Sequence, residues 1–250
     1  MIGFPITLIY SVIKMVGENN IISINKEKLF TSANDSFLNI CRLEENSKKH
    51  AKMYQKAMEV HDNGIDGINI NAIVSFYDKS VIKNKTIVIG DIEIDFEFLQ
   101  KVDKDSVNGV YFYALTVGEC NFESEEKIMD LLYADIWGTS YVDAAEEEVR
   151  HILSDDAKER LGSNVDISKS MGPGYFGMSV GEAHKIAKVL DYDKIGIKIK
   201  ESGMLIPQKS CSGFYLVLTE GKNVFPNECM YCSGNSLGCE FCRIRGGRFQ

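Results

Sequence analysis

Four cysteines near the end of the chain have the spacing of a metal-binding site. They are Cys229, Cys232, Cys239 and Cys242, arranged as two C-x2-C pairs with six residues between the pairs. Four thiolates so close in sequence can surround a tetrahedral zinc ion or hold an iron–sulfur cluster. The other cysteines are scattered, which favours a reducing compartment over a disulfide framework. The sequence therefore predicts a metal site in a cytoplasmic protein.

A second group of residues suited to chemistry forms a glycine-rich loop. The loop, Met171–Gly177, reads MGPGYFG, and its glycines allow tight turns and a close approach of the backbone to a ligand. Ser179 and Glu182 follow as an S-x-x-E capping box, so a helix is expected to begin near Val180. The free N–H groups of that helix would face the loop, where a carboxylate or phosphate could bind.

One acidic residue upstream of this loop stands out from its neighbours. Asp143 follows an apolar helical stripe that includes Ile128, Leu132 and Ile136. A carboxylate on such a face is costly to bury without a partner, which indicates a functional residue. The adjacent acidic run Glu146–Glu148 is interpreted as a solvated helix surface.

Helices and strands must bring these segments together. One helix is expected from a cap at Asp35 or Ser36 to about Val60, with His61 solvated near its end, and another from a cap at Ser124 through Asp143. Val110–Val117 is nearly continuously apolar, which is typical of a central strand. The other predicted strands are Ile21–Ile24, the hairpin Thr86–Phe96, Ile195–Lys200 and Gly213–Thr219, while Ile68–Phe76 is extended or helical.

Composition narrows the class of protein. The 250 residues carry a net charge of −8, and no long basic run occurs before the C-terminal tail, so nucleic-acid binding is disfavoured. The N-terminal segment 1–16 is apolar, but it contains Lys14 and lacks both a basic leader and about 18 uninterrupted apolar residues. It is interpreted as part of the core rather than as a signal or membrane anchor.

Four short motifs occur in an order that resembles one family. They are Tyr111–Gly118, Ala134–Asp143, the PGY of the glycine-rich loop, and ES-x-M-x-x-P-x-x-S-x-SG-F-Y at Glu201–Tyr215. This order resembles the activation domain of cobalamin-dependent methionine synthase, which binds S-adenosylmethionine (AdoMet), and its stand-alone relatives in anaerobes. The similarity spans roughly residues 87–219.

The resemblance implies an AdoMet site. Asp143, where the family has glutamate, would hold the amino group of AdoMet, and Tyr175 and Tyr215 match tyrosines of the site. Ser170 stands where the family has an arginine for the ligand carboxylate, so Ser170 or the adjacent Lys169 would take that contact. The implied cofactor-binding residues are Asp143, Lys169, Ser170, Gly172, Pro173, Gly174, Tyr175 and Tyr215.

The resemblance also implies a fold and a function. The fold is α+β, with a mixed or antiparallel twisted sheet and flanking helices over residues 1–226, followed by a small four-cysteine module at 227–250. The function is reductive reactivation of a cobalamin- or corrinoid-dependent methyltransferase such as methionine synthase, by methyl transfer from AdoMet. The partner would supply the cobalamin, and no catalytic side chain is needed because cobalt(I) is itself a strong nucleophile. A 4Fe–4S cluster in the tail could deliver the electron, and zinc could not.

Two other functions remain open. The first is an iron–sulfur electron-transfer or corrinoid-docking protein that has lost AdoMet binding, as Ser170 would suggest. The second is a non-catalytic interaction module whose four cysteines form a zinc knuckle.

Overall fold

The structure, a computed structural model, describes residues 17–45, 47–119 and 128–222 of the chain. The N-terminal segment 1–16, the expected helix cap Ser124 and the four-cysteine module 227–250 lie outside the described residues. The predicted metal ligands Cys229, Cys232, Cys239 and Cys242 lie there too. The division into two domains at residue 226 therefore stays a prediction.

The described residues form nine strands and four α-helices. The strands are β1 (Asn20–Ile24), β2 (Ile70–Asp78), β3 (Thr86–Ile89), β4 (Ile92–Asp95), β5 (Val107–Thr116), β6 (Val165–Ile167), β7 (Lys198–Ile199), β8 (Leu205–Ile206) and β9 (Ser210–Thr219). The helices are α1 (Lys26–Cys41), α2 (Ala51–Gly64), α3 (Ile128–Leu161) and α4 (Ala183–Val189). None of these helices is both long enough and apolar enough to span a bilayer.

Five strands form one sheet in the order β1-β2-β5-β9-β6, and every neighbouring pair is antiparallel. In its central pair, Tyr111 of β5 lies opposite Tyr215 of β9, and Tyr113 lies opposite Gly213. The hairpin predicted at Thr86–Phe96 is present as β3 and β4, and β7 pairs with β8. The predicted α+β class is confirmed, with an antiparallel main sheet in the described part of the chain.

Both faces of the central strands are covered. Tyr111, Tyr113 and Tyr215 belong to the core between the sheet and helices α1, α2 and α3. Phe112 and Phe214, at the alternate positions, belong to a second core beneath the β3–β4 hairpin and α4. Because successive side chains of a strand point to opposite faces, a strand covered on both sides needs apolar residues throughout. The apolar run of β5 therefore predicted its central position correctly.

The long helix α3 faces the sheet with aromatic residues. Tyr133, Trp137 and Tyr141 are buried at intervals of four residues. The buried stripe predicted from the sequence is wrong at the N-terminal end of α3, since Ile128 is 84% exposed and Leu132 is 48% exposed. Large aromatic rings bury more apolar area than the aliphatic side chains one position earlier, so they take the inner face.

The helix predicted from Asp35 or Ser36 to Val60 is two helices. Asn25 caps α1 by accepting a hydrogen bond from a first-turn N–H at 3.1 Å. The helix ends at Arg42, whose φ of +53° is left-handed. A left-handed residue is a common helix terminator, but it is usually glycine, so the sequence lacked the expected mark.

His61 is buried rather than solvated, which corrects the interpretation from the sequence. Its Nε2 lies 3.0 Å from the hydroxyl of Tyr141, and its Nδ1 lies 2.9 Å from the carboxylate of Asp62. Its ring also contacts Trp137, with 4.6 Å between the ring centroids. The packing of α2 against α3 therefore encloses a histidine whose ring nitrogens both have polar neighbours.

The segment after the glycine-rich loop is less regular than predicted. Ser179 caps a single 3-10 turn before α4, and the predicted strand Ile195–Lys200 is reduced to the two residues of β7. Glu182 does not complete a capping box. Its carboxylate accepts a hydrogen bond from the backbone of Asp95 at 2.9 Å and pairs with Lys185 at 3.0 Å. Glu182 therefore joins the hairpin to α4.

Candidate functional site

A pocket of about 400 Å³ lies between α3 and the segment that follows β6. This volume is within the range of small-molecule sites, roughly 300–1,000 Å³. Most of the side chains around it are charged or polar. The lining residues are Tyr113, Val142, Asp143, Glu146, Glu147, Arg150, Lys169, Ser170, Gly172, Tyr175, Cys211 and Ser212.

A β-bulge builds the wall opposite α3. After β6, Ser168 still lies opposite Leu216, because its N–H donates to the carbonyl of Leu216 at 2.9 Å. The next bridge joins Met171 to Phe214. From the first pair to the second, the segment after β6 advances three residues while β9 advances two. The extra residue makes this a β-bulge, which bends the strand. The two residues between these bridges, at 169 and 170, both line the pocket.

Two glycines allow this segment to lie close against β9. A Cβ atom added to Gly213 would lie 2.3 Å from the carbonyl oxygen of Met171. A Cβ atom added to Gly172 would lie 2.7 Å from the carbonyl oxygen of Ser212. Both separations are too short for real atoms, so the close approach between these two backbone segments requires glycine at each position.

One stripe of α3 carries four charged residues into the pocket. Asp143, Glu146, Glu147 and Arg150 are spaced at i, i+3, i+4 and i+7, which places them on one helix face. The Arg150 guanidinium donates to the Glu147 carboxylate from Nε at 3.0 Å and from Nη2 at 2.5 Å. The hydroxyl of Ser36 donates to Asp143 at 3.1 Å. The α3 wall is therefore acidic at one end and basic at the other.

Two tyrosines of the central strands support opposite walls of the pocket. The rings of Tyr113 and Tyr215 are stacked, with 4.8 Å between their centroids. The hydroxyl of Tyr113 lies 2.6 Å from the hydroxyl of Ser170 on the bulge. The hydroxyl of Tyr215 donates a hydrogen bond to the carboxylate of Glu146 on α3. One stacked pair thus fixes a residue on each side of the pocket.

Burial changes the acidity of several pocket groups. It raises the pKa of the Glu146 carboxyl group, although the hydrogen bond from Tyr215 acts in the opposite direction. It also raises the pKa of Asp143, against the lowering effects of Ser36 and Lys209. Burial raises the pKa of the Cys211 thiol to about 12, so this thiol is protonated at neutral pH.

The glycine-rich loop carries two adjacent aromatic residues, of which one is buried and the other is exposed. Phe176 adopts a φ of +50° and is only 3% exposed, with its ring against Phe98. Tyr175 is 60% exposed and lies at the pocket wall. The backbone N–H of Tyr175 donates to the carbonyl of Gly172 at 2.9 Å, which closes the turn. The loop therefore presents the Tyr175 ring from a firmly held backbone.

The structure brings together five of the eight cofactor-binding residues predicted from the sequence. Those that line the pocket are Asp143, Lys169, Ser170, Gly172 and Tyr175. Pro173 and Gly174 lie in the same turn but away from the pocket lining, and Tyr215 is fully buried behind Glu146. Their roles in ligand binding stay predictions.

Sequence reasoning missed Tyr113, Glu146, Arg150 and Cys211. The prediction that Glu146 is solvated was wrong, because its side chain bonds to Tyr215 and is partly buried. The signal for Glu146 and Arg150 was available as helical spacing from Asp143. Tyr113 and Cys211 lie on the central strands, where only the pairing of β5 with β9 shows that they face the pocket.

Among the described residues, no group of three or more histidine, cysteine, aspartate or glutamate side chains is arranged to hold a metal ion. Cys41 and Cys211, which lie within that part of the chain, are free thiols. The four clustered cysteines lie outside it, so the zinc or iron–sulfur site stays a prediction.

No protein-family model matches the chain, and no curated protein matches it either. Solved structures do match. One of them is a crystal structure of the MetH reactivation domain bound to AdoHcy, with a TM-score of 0.58 and 12% sequence identity over 85% of this chain and 81% of that chain. The chain has the fold of the MetH reactivation domain. The resemblance inferred from four short motifs is thus confirmed at the level of the fold.

An identity of 12% does not carry residue roles from the MetH reactivation domain to this chain. Within this reactivation-domain fold, the pocket combines two carboxylates of raised pKa, two cationic side chains and an exposed aromatic ring.

Proposed function

We propose that the chain binds AdoMet in the pocket between α3 and the bulge, and that it reactivates a cobalamin- or corrinoid-dependent methyltransferase such as methionine synthase. One observation carries the proposal. In a chain with the reactivation-domain fold, five residues predicted to bind AdoMet, drawn from a helix and from a separate loop, line a single pocket.

The donor set of the pocket fits AdoMet. The ligand carries a positive sulfonium and an ammonium group, and Asp143 and Glu146 offer carboxylates for them. Its carboxylate needs a cation, and Arg150 and Lys169 are both at the wall. Its adenine is a flat aromatic group, for which the exposed ring of Tyr175 offers a stacking surface.

Bound AdoMet would supply a methyl group, which the partner's cobalamin would accept after one-electron reduction of its cobalt. The bond between the methyl carbon and sulfur would break with its electron pair left on sulfur, and AdoHcy would leave the pocket. The protein residues would hold the sulfonium end in a fixed orientation, and such positioning can supply most of the catalytic effect. The only thiol at the pocket wall, among the described residues, belongs to Cys211. Its pKa is raised to about 12, so the neutral thiol does not compete as a nucleophile for the methyl group.

The partner proposed for this chain is a cobalamin-binding domain or protein, because the methyl acceptor must reach the mouth of the pocket. A 4Fe–4S cluster held by Cys229, Cys232, Cys239 and Cys242 is the proposed electron source, and a structural zinc ion is the alternative.

A second candidate is a corrinoid-docking or electron-transfer protein without AdoMet. It is favoured by Ser170, which replaces the expected arginine and whose hydroxyl is already bonded to Tyr113. This candidate predicts that the chain changes the redox state of a corrinoid protein while AdoMet has no effect.

Calorimetric titration of the full chain with AdoMet tests the proposal. We expect saturable binding that is weakened by Asp143→Asn and unchanged by Asp155→Asn, a matched change at an exposed position of the same helix. Spectroscopy should then show methylcobalamin forming on a methionine synthase cobalamin domain when AdoMet and a chemical reductant are present. Absence of binding at millimolar AdoMet would contradict the proposal and favour the second candidate.

A further inference from the structure

We propose that Arg150 anchors the ligand carboxylate, so that the amino-acid end of AdoMet lies along α3 with its ammonium group towards Asp143 and Glu146. The inference rests on the proposed function, because it describes how the same pocket would hold that ligand. It assigns a binding role to an arginine that the sequence motifs did not single out.

The charge order along α3 is the first support for this orientation. An α-helix rises about 1.5 Å per residue, so Arg150 lies roughly 10 Å from Asp143 along the helix axis and roughly 6 Å from Glu146. All three side chains line the pocket. A ligand that carries an ammonium and a carboxylate group on one carbon matches a wall that changes from acidic to basic over that distance.

The fixed position of the Arg150 guanidinium is the second support. Its side chain is 33% exposed, and Glu147 holds it through Nε and Nη2. These contacts use two of the five N–H donors of a guanidinium group, so others remain for a ligand. A planar donor group that is already held in place loses less freedom when it binds a carboxylate.

The other groups near the pocket are less suited to the carboxylate. Lys169 also lines the wall, but it is an exposed residue of the bulge, and an ammonium group cannot give the two parallel hydrogen bonds of a guanidinium. Ser170 carries no charge, and its hydroxyl is engaged with Tyr113. Among the described lining residues, Arg150 is therefore the cation with the most suitable geometry and burial.

The role of Glu147 follows from the same contacts. Arg150 lowers the pKa of the Glu147 carboxyl group, which keeps Glu147 ionised and keeps the pair formed at neutral pH. Glu147 is itself about half exposed, so the pair lies at the pocket rim. Glu147 is a positioning residue, which orients the guanidinium without contacting the ligand.

The experiment compares two ligands in calorimetric titrations of the full chain at neutral pH. AdoMet carries the amino-acid group, whereas 5′-methylthioadenosine keeps the adenosine and the sulfur but lacks that group. We expect Arg150→Gln to weaken AdoMet binding by about 10- to 100-fold, the loss expected for a charge-assisted contact. Binding of 5′-methylthioadenosine should stay unchanged, which also shows that the pocket of the variant is intact.

Two further variants make the comparison specific. Lys169→Gln removes the other cation of the wall and should weaken AdoMet binding less than Arg150→Gln does, because an exposed charge contributes less than a held guanidinium. Arg150→Lys keeps the charge but loses the planar donor group, so its loss should be smaller than that of Arg150→Gln. It also keeps the test open if Arg150→Gln does not fold.

The outcomes separate this inference from the proposed function. If the wild-type chain binds no AdoMet, both are wrong. If the wild-type chain binds AdoMet and the Arg150 variants bind it equally well, the inference alone is overturned. A larger selective loss in Lys169→Gln would overturn it as well, because Lys169 would then be the carboxylate anchor. An equal loss of both ligands in the Arg150 variants would show a general effect on the pocket rather than a carboxylate contact, and would also overturn it.

Discussion

Tyr215 is fully buried, yet its hydroxyl donates a hydrogen bond to the carboxylate of Glu146 at the pocket wall. Its ring is stacked on Tyr113, whose hydroxyl meets Ser170 on the opposite wall. The core between the sheet and α3 thus reaches the pocket through two hydroxyl groups. Tyr215, whose predicted role in ligand binding stays a prediction, lies behind Glu146 of the pocket lining.

Removal of the Tyr215 hydroxyl should affect the ligand through Glu146. We expect Tyr215→Phe to weaken AdoMet binding by roughly 3- to 10-fold and to lower the free energy of unfolding by about 1 kcal/mol, because one hydrogen bond is lost while the ring stays. Calorimetry and urea unfolding measure the two effects. Tyr54→Phe is the matched control, since Tyr54 donates to Asn34 at 2.9 Å outside the pocket lining. An equal loss of affinity in both variants would contradict the role assigned to Tyr215.

The raised pKa of Glu146 gives the stability of the protein a defined dependence on pH. The folded state holds the proton of this carboxyl group more tightly than the unfolded state, in which the pKa is near its ordinary value of 4.5. The contribution of Glu146 to stability therefore falls as pH rises through this window. Glutamine does not ionise, so Glu146→Gln avoids the cost of burying a charged carboxylate. The free energy of unfolding of this variant, relative to that of the wild type, should therefore increase between pH 4.5 and neutral pH.

Glu147 provides a control of opposite sign on the same helix. Its pKa is lowered, chiefly by the hydrogen bonds from Arg150, so its contribution to stability is present at neutral pH and is lost as pH falls through the lowered value. Glu147→Gln should therefore become less stable relative to wild type as pH rises. Urea unfolding from about pH 3 to about pH 8 covers both windows, that of Glu147 below its ordinary pKa of 4.5 and that of Glu146 above it. Parallel curves for the two variants would show that burial of Glu146 does not cause the effect.

The central strands and the hairpin could be predicted from the sequence because their signals are local. A strand is indicated by the apolar run of β5, by the alternation of apolar and acidic residues in β4, and by the aromatic and aliphatic residues of β9. Each of these signals is read without reference to the rest of the chain. The break at Arg42 and the burial of His61 could not be predicted in this way. The break at Arg42 lacks the glycine that usually marks a left-handed helix terminator. The burial of His61 depends on its contact with Tyr141 of α3, a residue 80 positions away in the sequence.

The candidate site was predictable where a short motif marks it. Asp143 and Tyr175 belong to such motifs, and both line the pocket. Glu146 was misread because a run of three glutamates usually marks a solvated surface. The hydrogen bond from the Tyr215 hydroxyl shows that one of the three is turned inward, and that contact joins residues 69 positions apart.

The close approach of the bulge to β9 should make Gly213 intolerant of a side chain. We expect Gly213→Ala to lower the free energy of unfolding by about 2 kcal/mol or more, because its Cβ would lie 2.3 Å from the backbone carbonyl of Met171. AdoMet binding should also weaken, because the bulge carries one wall of the pocket. Gly67→Ala is the control. It has open space around its Cβ position and should change stability by less than about 0.5 kcal/mol.

The metal held by the four clustered cysteines distinguishes an electron-transfer role from a structural one. If they hold a 4Fe–4S cluster, the full chain purified without oxygen should contain about four iron atoms and labile sulfide, with visible absorption that bleaches on addition of dithionite. Replacing Cys229 and Cys232 by serine should abolish both the iron and the colour. Cys41→Ser should not, because Cys41 is a free thiol elsewhere in the chain.

A colourless protein with one zinc per chain would contradict the cluster. A zinc ion has no redox chemistry, so the electron for the partner's cobalt would then have to come from another protein. AdoMet binding at the pocket should persist in that case, since the lining residues in the described part of the chain, from Tyr113 to Ser212, include none of the four cysteines. Metal analysis therefore tests the source of the electron, and the Arg150 and Asp143 variants test the methyl donor. The two parts of the proposed function can fail separately.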